Sequence, residues 1–426
     1  MKFRKAVALL LTGAMVFTMA GCGSSGSGDS SSGDSSDKKS ESGSGDVELS
    51  VTIWDSNQEP GLTEIMNDFT EKTGIKTKVS VVKWDEYWTL LESGASGGSL
   101  PDVFWMHSNE AVRYMSNDIL LDLTDKIADS DKLEMDKFPE DIKEMYQWDG
   151  KTYAVPKDID TIAMWYNKDM FDEAGIDYPD GSWTWDEFYD IAEKLTKEDG
   201  SQYGFAANPS NEQDTWMNIV YSMGGRVLTD DNKSGFDDPN TIKAMEFVDK
   251  CVKNVMPPAS TMSETGTDVL FGSGKVAMIS QGSWMVSAFK DNDYIKEHCD
   301  VARLPKDAET GESVSLYNGL GWAASANTEH PEEAWQLIEY LGSKEAQEKQ
   351  AELGVTMSAY TGTSEAWAKS ANFNLQAYIN MMDDMEIRPY SRSTVTWENK
   401  NSEILKSVYS GDKTMADACK EMAEQM

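Results

Sequence analysis

The chain has 426 residues, too many for one hydrophobic core, so two domains are the expectation. It carries 74 Asp and Glu against 38 Lys and Arg, a formal net charge of −36, which disfavours nucleic acid and anionic lipid surfaces as partners. Fourteen Trp and sixteen Tyr supply core and leave some rings for a flat ligand face.

Residues 1–22 read as an export signal. Lys2, Arg4 and Lys5 form a basic end, and residues 6–19 form an apolar run too short to span a membrane. Met19-Ala20-Gly21-Cys22 resembles a lipobox, so Cys22 is the expected lipidation site and the first mature residue. Residues 23–46 are Ser, Gly, Asp, Glu and Lys without an apolar side chain. They cannot bury a core and form a tether of about 25–30 Å mean span.

The folded part begins at Val47. Leu49, Val51 and Ile53 alternate along a strand ending at Trp54-Asp55. Leu62, Ile65, Met66 and Phe69 line one face of the next helix, which stops near Gly74. Val79 and Val81 start a second strand, and Pro101-Asp102-Val103-Phe104-Trp105 is a third. Such repetition predicts right-handed crossovers and a mostly parallel sheet. Ligands then lie beyond strand C-terminal ends, where Asp55 and Trp105 fall.

Residues 149–188 are the most legible stretch. Asp149-Gly150 is a tight-turn dipeptide; 152–156 and 161–166 read as strands. Asn167 caps a short helix lined by Met170, Phe171 and Ala174 and stopped by Gly175. Thr184-Trp185-Asp186-Glu187 is a capping box, followed by an apolar face of Phe188, Ile191, Ala192 and Leu195. Downstream, 203–206 reads as a strand, 214–225 as a helix, and Ala244, Val248 and Val252 as another helical face. Residues 230–241 carry Thr241 where a calcium loop needs Glu, so they read as a turn. Lys275 in Gly272-Ser273-Gly274-Lys275 lacks the upstream Gly of a phosphate loop. Residues 301–305 read as a strand, and Pro331 opens a helix burying Ala334, Leu337, Ile338 and Leu341. Arg388-Pro389-Tyr390 and Val395-Thr396-Trp397 lead to a last helix, capped by Thr414, with Met415, Ala418, Cys419 and Met422 inside. Cys251 and Cys419 read as core thiols, and His298-Cys299 has no second ligand pair for zinc, so neither a disulfide framework nor a metal site is expected.

The segments Asp149-Gly150-Lys151-Thr152-Tyr153-Ala154-Val155-Pro156, Tyr166-Asn167-Lys168-Asp169-Met170-Phe171 and Thr184-Trp185-Asp186-Glu187-Phe188 together resemble the family-1 extracellular solute-binding proteins. These are carbohydrate-binding subunits of ATP-binding-cassette importers, distantly similar to maltose-binding protein. Gly274-Lys275-Val276-Ala277-Met278 and Gly282-Ser283-Trp284 extend the resemblance, as does Tyr317-Asn318-Gly319-Leu320-Gly321-Trp322-Ala323. It implies an α/β, two-lobed periplasmic-binding-protein-like fold, each lobe a mostly parallel sheet flanked by helices, joined by a multi-crossing hinge. Residues 1–21 are then the lipoprotein signal peptide and 22–46 the lipidated Cys and tether. Residues 47–157 and 320–355 form lobe 1; residues 158–319 and 356–426 form lobe 2.

A sugar presents hydroxyls around flat C–H faces, so its site needs carboxylates or amides beside planar rings. Crossings and strand ends offer Asp55, Trp105, His107, Ser108, Asn109, Asp158, Asp160, Asp214, Trp216, Trp284, Asn318 and Trp397. The resemblance makes 105–109 the first-lobe contact loop, Asp160 the hinge-side carboxylate, and Trp284 and Trp397 second-lobe platforms. A lone His such as His107 is more often structural, Trp216 fits packing equally, and Asp158 fits a hinge-orienting role equally. Trp54, Trp88, Trp165, Trp183, Trp185 and Trp335 are assigned to packing.

The implied function is that of a monomeric extracytoplasmic lipoprotein, without cofactor or enzymatic activity, on the outer face of a Gram-positive-type cell membrane. It captures a mono- or oligosaccharide by hinge closure and delivers it to permease subunits. Alternatives are the same fold binding a polyamine, polyol phosphate or peptide, and, in another class, a surface glycoside hydrolase using two carboxylates.

Overall fold

Leu49, Val51 and Ile53 are buried at every second position of β1 (Glu48–Ile53), as the alternation requires. The computed structural model describes residues 47–208, 212–229 and 231–425; the expected signal peptide, Cys22, the tether and Asp230 lie outside the described residues. β2 (Lys76–Val81) and β3 (Val103–Met106) follow, then a hairpin of β4 (Gln147–Trp148) and β5 (Lys151–Thr152). Its turn residues Asp149 and Gly150 have φ of 50° and 76°, the paired positive values that a type I′ turn needs. The remaining strands are β6 (Ala154–Pro156), β7 (Ile162–Asn167), β8 (Tyr203–Ala206), β9 (Val276–Gly282), β10 (Cys299–Ala302), β11 (Ser315–Tyr317), β12 (Gly321–Ala324) and β13 (Met385–Ile387).

The first sheet has the order β2-β1-β3-β12-β6, with β1 parallel to β2 and β3 but β12 antiparallel to β3 and β6. The second has the order β10-β7-β9-β8, and only β8 and β9 are parallel. β11 and β13 pair separately, in parallel. The two-lobed α/β architecture stands, but the sheets are mixed, not mostly parallel. The chain leaves the first sheet along β6 and re-enters along β12, so these neighbours run in opposite senses. In the second sheet β7 departs from the crossing where β9 arrives, with Ile162 opposite Gly282. The edge strand β2 exposes Lys76 and Lys78, charges that discourage pairing with another chain.

Three chain passages run side by side between the sheets. Lys157 N–H donates to Leu320 O at 2.7 Å, Asp160 N–H to Asn318 O at 2.9 Å, and Ile159 N–H to Met357 O at 3.1 Å. Gly319 is required there: a Cβ would lie 2.4 Å from Asp158 O and 2.9 Å from Ile142 Cδ1.

The signals of the central stretch are realised. Asn167 Oδ1 accepts Met170 N–H at 3.1 Å and opens Lys168–Ala174, which ends on Gly175 at φ 65°. Thr184 and Glu187 form the reciprocal capping box of Trp185–Leu195. Thr414 Oγ1 caps Met415–Gln425, whose buried face is Met415, Ala418, Cys419 and Met422. Two boundaries differ from expectation. β10 stops at Ala302 rather than Pro305, and Val395-Thr396-Trp397 lies inside a helix, Thr394–Tyr409. In the last case burial of Trp397, Ile404, Leu405 and Val408 on one face overrides the strand preference of Val395 and Thr396.

Candidate ligand-binding site

The C-terminal ends of β1, β2 and β3 carry an aromatic cluster. The Trp54 ring meets Trp84 at 5.0 Å and Trp105 at 4.7 Å, both edge-on, and Trp84 meets His107 at 5.4 Å. Trp105 is fully enclosed, with Trp322 at 6.0 Å and Lys157 Nζ 4.5 Å over its ring. The most exposed ring of the cluster is Trp84, 39% exposed at the start of Trp84–Gly97. Sequence reasoning missed it; its position directly beyond β2 was the available signal. Trp54 and Trp88, assigned to packing, are half-buried members of this same cluster. Asp55 shapes the adjoining turn: its carboxylate accepts Asn57 N–H at 2.8 Å and Gln58 Nε2 at 3.0 Å.

His107 caps Ser108–Met115 through Nδ1, which accepts Asn109 N–H at 3.2 Å. Burial, then the nearby Arg388 charge, holds its pKa well below the ordinary value. Ser108 Oγ and Asn109 Oδ1 are buried without a partner among the described residues. Glu110 behind them is paired with Arg113 at 2.6 Å.

At the crossings, Lys157 is fully buried and bonds Asp158 at 2.6 Å and Gln58 Oε1 at 2.9 Å. The other Asp158 oxygen accepts Leu320 N–H at 2.7 Å, so both of its oxygens are occupied within the hinge. Asp160 Oδ1 accepts Gln213 Nε2 at 2.5 Å and Asn318 N–H at 3.1 Å. Burial, then the Asp158 charge, raises its pKa well above the usual carboxylate value. The Asn318 amide reaches the His107 ring at 2.9 Å.

From the second sheet's side come Asp214 and Trp216, in the single π-helical turn Glu212–Trp216. Burial pushes the Asp214 carboxyl up to about 6, and Thr215 Oγ1 donates to it at 3.3 Å. Trp216 is fully buried, with Nε1 unpartnered among the described residues. Trp284 is half-buried beyond β9 and lies over Gly282, where a Cβ would meet its ring at 2.0 Å. Trp397 is 3% exposed inside its helix, with Nε1 3.4 Å from Ser391 Oγ.

Three residues that carried no role in the sequence reading complete the arrangement. Arg388 Nη2 pairs with Glu398, while Arg388 Nε and Nη1 and both ends of the Asn401 amide have no partner among the described residues. All three residues are buried. The Arg388 charge acts on His107, Asp160 and Asp214. Thr394, Trp397, Glu398 and Asn401 follow helical spacing on one buried face, a polar stripe that could have flagged the group. The structure thus joins His107, Asn318, Asp160 and Gln213, the neighbour of Asp214, in one hydrogen-bonded chain, beside which Arg388 N–H donates to Tyr317 O at 2.8 Å. Asp55 is engaged in a local turn and Asp158 within the hinge, and Trp105, Trp216 and Trp397 are enclosed.

Among the described residues no group of His, Cys, Asp or Glu is placed to hold a metal ion, and Cys251, Cys299 and Cys419 are buried and free. Fixed, desolvated donors and acceptors at a crossing suit recognition of a polar solute. Residues 64–377 match the family of bacterial extracellular solute-binding proteins. The chain belongs to that family. Arg388, Glu398 and Asn401 lie beyond the matched residues.

Among its relatives, the galactooligosaccharide-binding protein of Bacillus subtilis is 26% identical over 362 residues, 80% of this chain and 77% of that protein. The multiple sugar-binding protein of Streptococcus mutans is 23% identical over 383 residues, 86% and 85% of the two chains. The fold is shared with an ABC substrate-binding protein from Listeria monocytogenes, solved in complex with cycloalternan. That match has a TM-score of 0.82 at 22% identity, covering 89% of this solute-binding protein and 97% of the other. A maltose-bound protein of T. maritima matches with a TM-score of 0.77 at 20% identity, over 89% and 98%.

Proposed function

We propose that this chain captures a sugar or oligosaccharide between two lobes by hinge closure and delivers it to the permease subunits of an ATP-binding-cassette importer. The observation that carries this reading is the hydrogen-bonded chain of His107, Asn318, Asp160 and Gln213 at the chain crossings, with Ser108 Oγ, Asn109 Oδ1 and Asn318 Oδ1 buried and unpartnered among the described residues. Buried hydrogen-bonding groups without partners are costly unless a ligand supplies them. The exposed Trp84 face adds a flat surface for C–H groups. The saccharides in the names of the relatives and neighbours point the same way.

In this reading residues 47–157 and 320–355 form one lobe and 158–319 and 356–426 the other. The three passages are the hinge, and closure is driven by tighter binding in the closed state. The protein acts as a monomeric receptor rather than a glycoside hydrolase, held at the membrane surface by lipid on Cys22. A thermal-shift panel of neutral saccharides tests it, since a ligand at 100 times its Kd adds about 2.7 kcal/mol of stability. Stabilisation by a polyamine or peptide with none by any saccharide would sink the sugar reading, as would appearance of cleavage products. Cys22→Ser tests the anchor: the variant is expected in the soluble fraction.

A further inference from the structure

Lys157 follows β6 into the first passage with its side chain fully buried. An ammonium has three N–H donors, and three groups surround this one. They are Asp158 Oδ2 at 2.6 Å, Gln58 Oε1 at 2.9 Å and the Trp105 ring, 4.5 Å away at its centroid. The main chain is held as well. Its N–H donates to Leu320 O at 2.7 Å, and its carbonyl accepts Gln350 Nε2, from the helix Lys344–Glu352, at 2.9 Å.

Two routes lead from this ammonium to the end of β1. The polar route passes through Gln58, whose amide is gripped at both ends: Oε1 by Lys157, and Nε2 by Asp55 Oδ2 at 3.0 Å. The aromatic route runs from Trp105 to Trp54 at 4.7 Å and on to Trp84 at 5.0 Å. Tyr87, three residues after Trp84, ties that helix to the same strand by donating its Oη to Trp105 O at 2.7 Å. A third route goes to the returning passage, since Asp158 Oδ1 accepts Leu320 N–H at 2.7 Å. A methionine at 157 would fill the space without taking a cation out of water, but it would leave the Asp55 turn and the passages unconnected. We propose that Lys157 is a positioning residue, which fixes the Asp55 turn and the Trp54 and Trp84 rings relative to the crossing passages. What those groups then meet rests on the saccharide reading above.

Two variants of the full chain test this. Gln58→Leu breaks the polar route and leaves the ion pair intact. Lys157→Met with Asp158→Asn removes both charges together and keeps an acceptor for Leu320 N–H. Native-state hydrogen exchange without sugar reads the N–H groups of Asn57 and Leu62, which Asp55 Oδ1 and Gln58 O hold. In both variants their exchange is expected to quicken at least about tenfold more than that of β7 and β9. Equal acceleration throughout, or none at Asn57 and Leu62, overturns the proposal, because a pair that only stabilises the fold lowers protection everywhere. Calorimetry with neutral di- to tetrasaccharides of glucose and galactose gives the second readout. A saccharide bound by the parent is expected to bind Gln58→Leu about tenfold more weakly, with the unliganded melting temperature within a few degrees of the parent's. Unchanged affinity in both variants overturns the positioning role. A parent that binds none of these saccharides sinks the saccharide reading instead, and the exchange pattern still decides whether Lys157 couples the turn to the passages.

Discussion

The imidazole of His107 and the amide of Asn318 meet edge to edge, with Nε2 2.9 Å from Asn318 Nδ2. Nδ1 already accepts the Asn109 N–H, and a neutral imidazole has one acceptor nitrogen. The ring proton therefore belongs on Nε2, and the Asn318 amide satisfies it by turning Oδ1, otherwise unpartnered, toward the ring. This agrees with burial and Arg388 holding the ring neutral.

A depressed His pKa has a defined sign. Below the unfolded value of about 6.5 the unfolded chain takes a proton that the folded chain refuses, so stability falls as pH drops through that value. His107→Asn keeps a capping acceptor and removes the titration. Between pH 7 and 5 the parent chain is expected to lose about 1–2 kcal/mol more than the variant in urea unfolding. Equal losses would show that His107 protonates freely in the folded protein.

Asp214 works in the opposite direction. Its carboxyl is raised from 3.8 to about 6, so between these values the folded chain binds the proton and the unfolded chain does not. Stability therefore rises as pH falls through this window, and the cost of the buried charge is fully present above it. Asp214→Asn removes that cost. The unliganded variant is expected to be more stable than the parent at pH 7.5, by up to about 3 kcal/mol, with the advantage shrinking through pH 6 to 4 and vanishing near pH 3, below the unfolded value. Ligand affinity is expected to fall, the exchange of stability for function seen at binding sites. A variant destabilised equally at both pH values would refute the assignment.

Two tryptophans separate stacking from packing. Trp84 is 39% exposed and Trp397 3% exposed. Trp84→Ala is expected to leave the melting temperature within a few degrees and to weaken saccharide binding by about 0.5–1.5 kcal/mol. Trp397→Ala empties a filled position and is expected to cost about 3–5 kcal/mol of stability. Calorimetric titration beside thermal melts reads both, and unchanged affinity in Trp84→Ala would make that ring a rim residue without a role.

What was legible in the sequence was chemistry that completes itself within a few residues. The Thr184–Glu187 box, the Asn167 cap, the Gly175 stop and the Asp149-Gly150 turn are each fixed by neighbours one to four positions away. His107, Asp160, Asp214 and Asn318 were singled out as strand-end and crossing residues, because topology alone puts such positions near one another. Arg388, Glu398 and Asn401 were not, since their roles depend on long-range pairing and β-branched neighbours masked their helix. Strand direction was misjudged for a related reason: local pattern carries no record of which way the chain returns through a hinge.

The buried Arg388–Glu398 pair permits a sharper experiment than either residue alone. Removing the arginine leaves an acid that burial already disfavours in its charged form. Arg388→Met is therefore expected to cost about 3–5 kcal/mol at pH 7.5. Glu398 escapes by taking a proton, so its folded pKa climbs further and the loss should shrink as pH falls toward 5. Arg388→Met with Glu398→Met exchanges both charges for apolar volume and is expected to recover most of the stability. A double-mutant cycle at the two pH values isolates the coupling, because the residues share one contact and their effects do not add. If the double variant is as unstable as the sum of the single ones, the pair is not the unit that holds this helix in place.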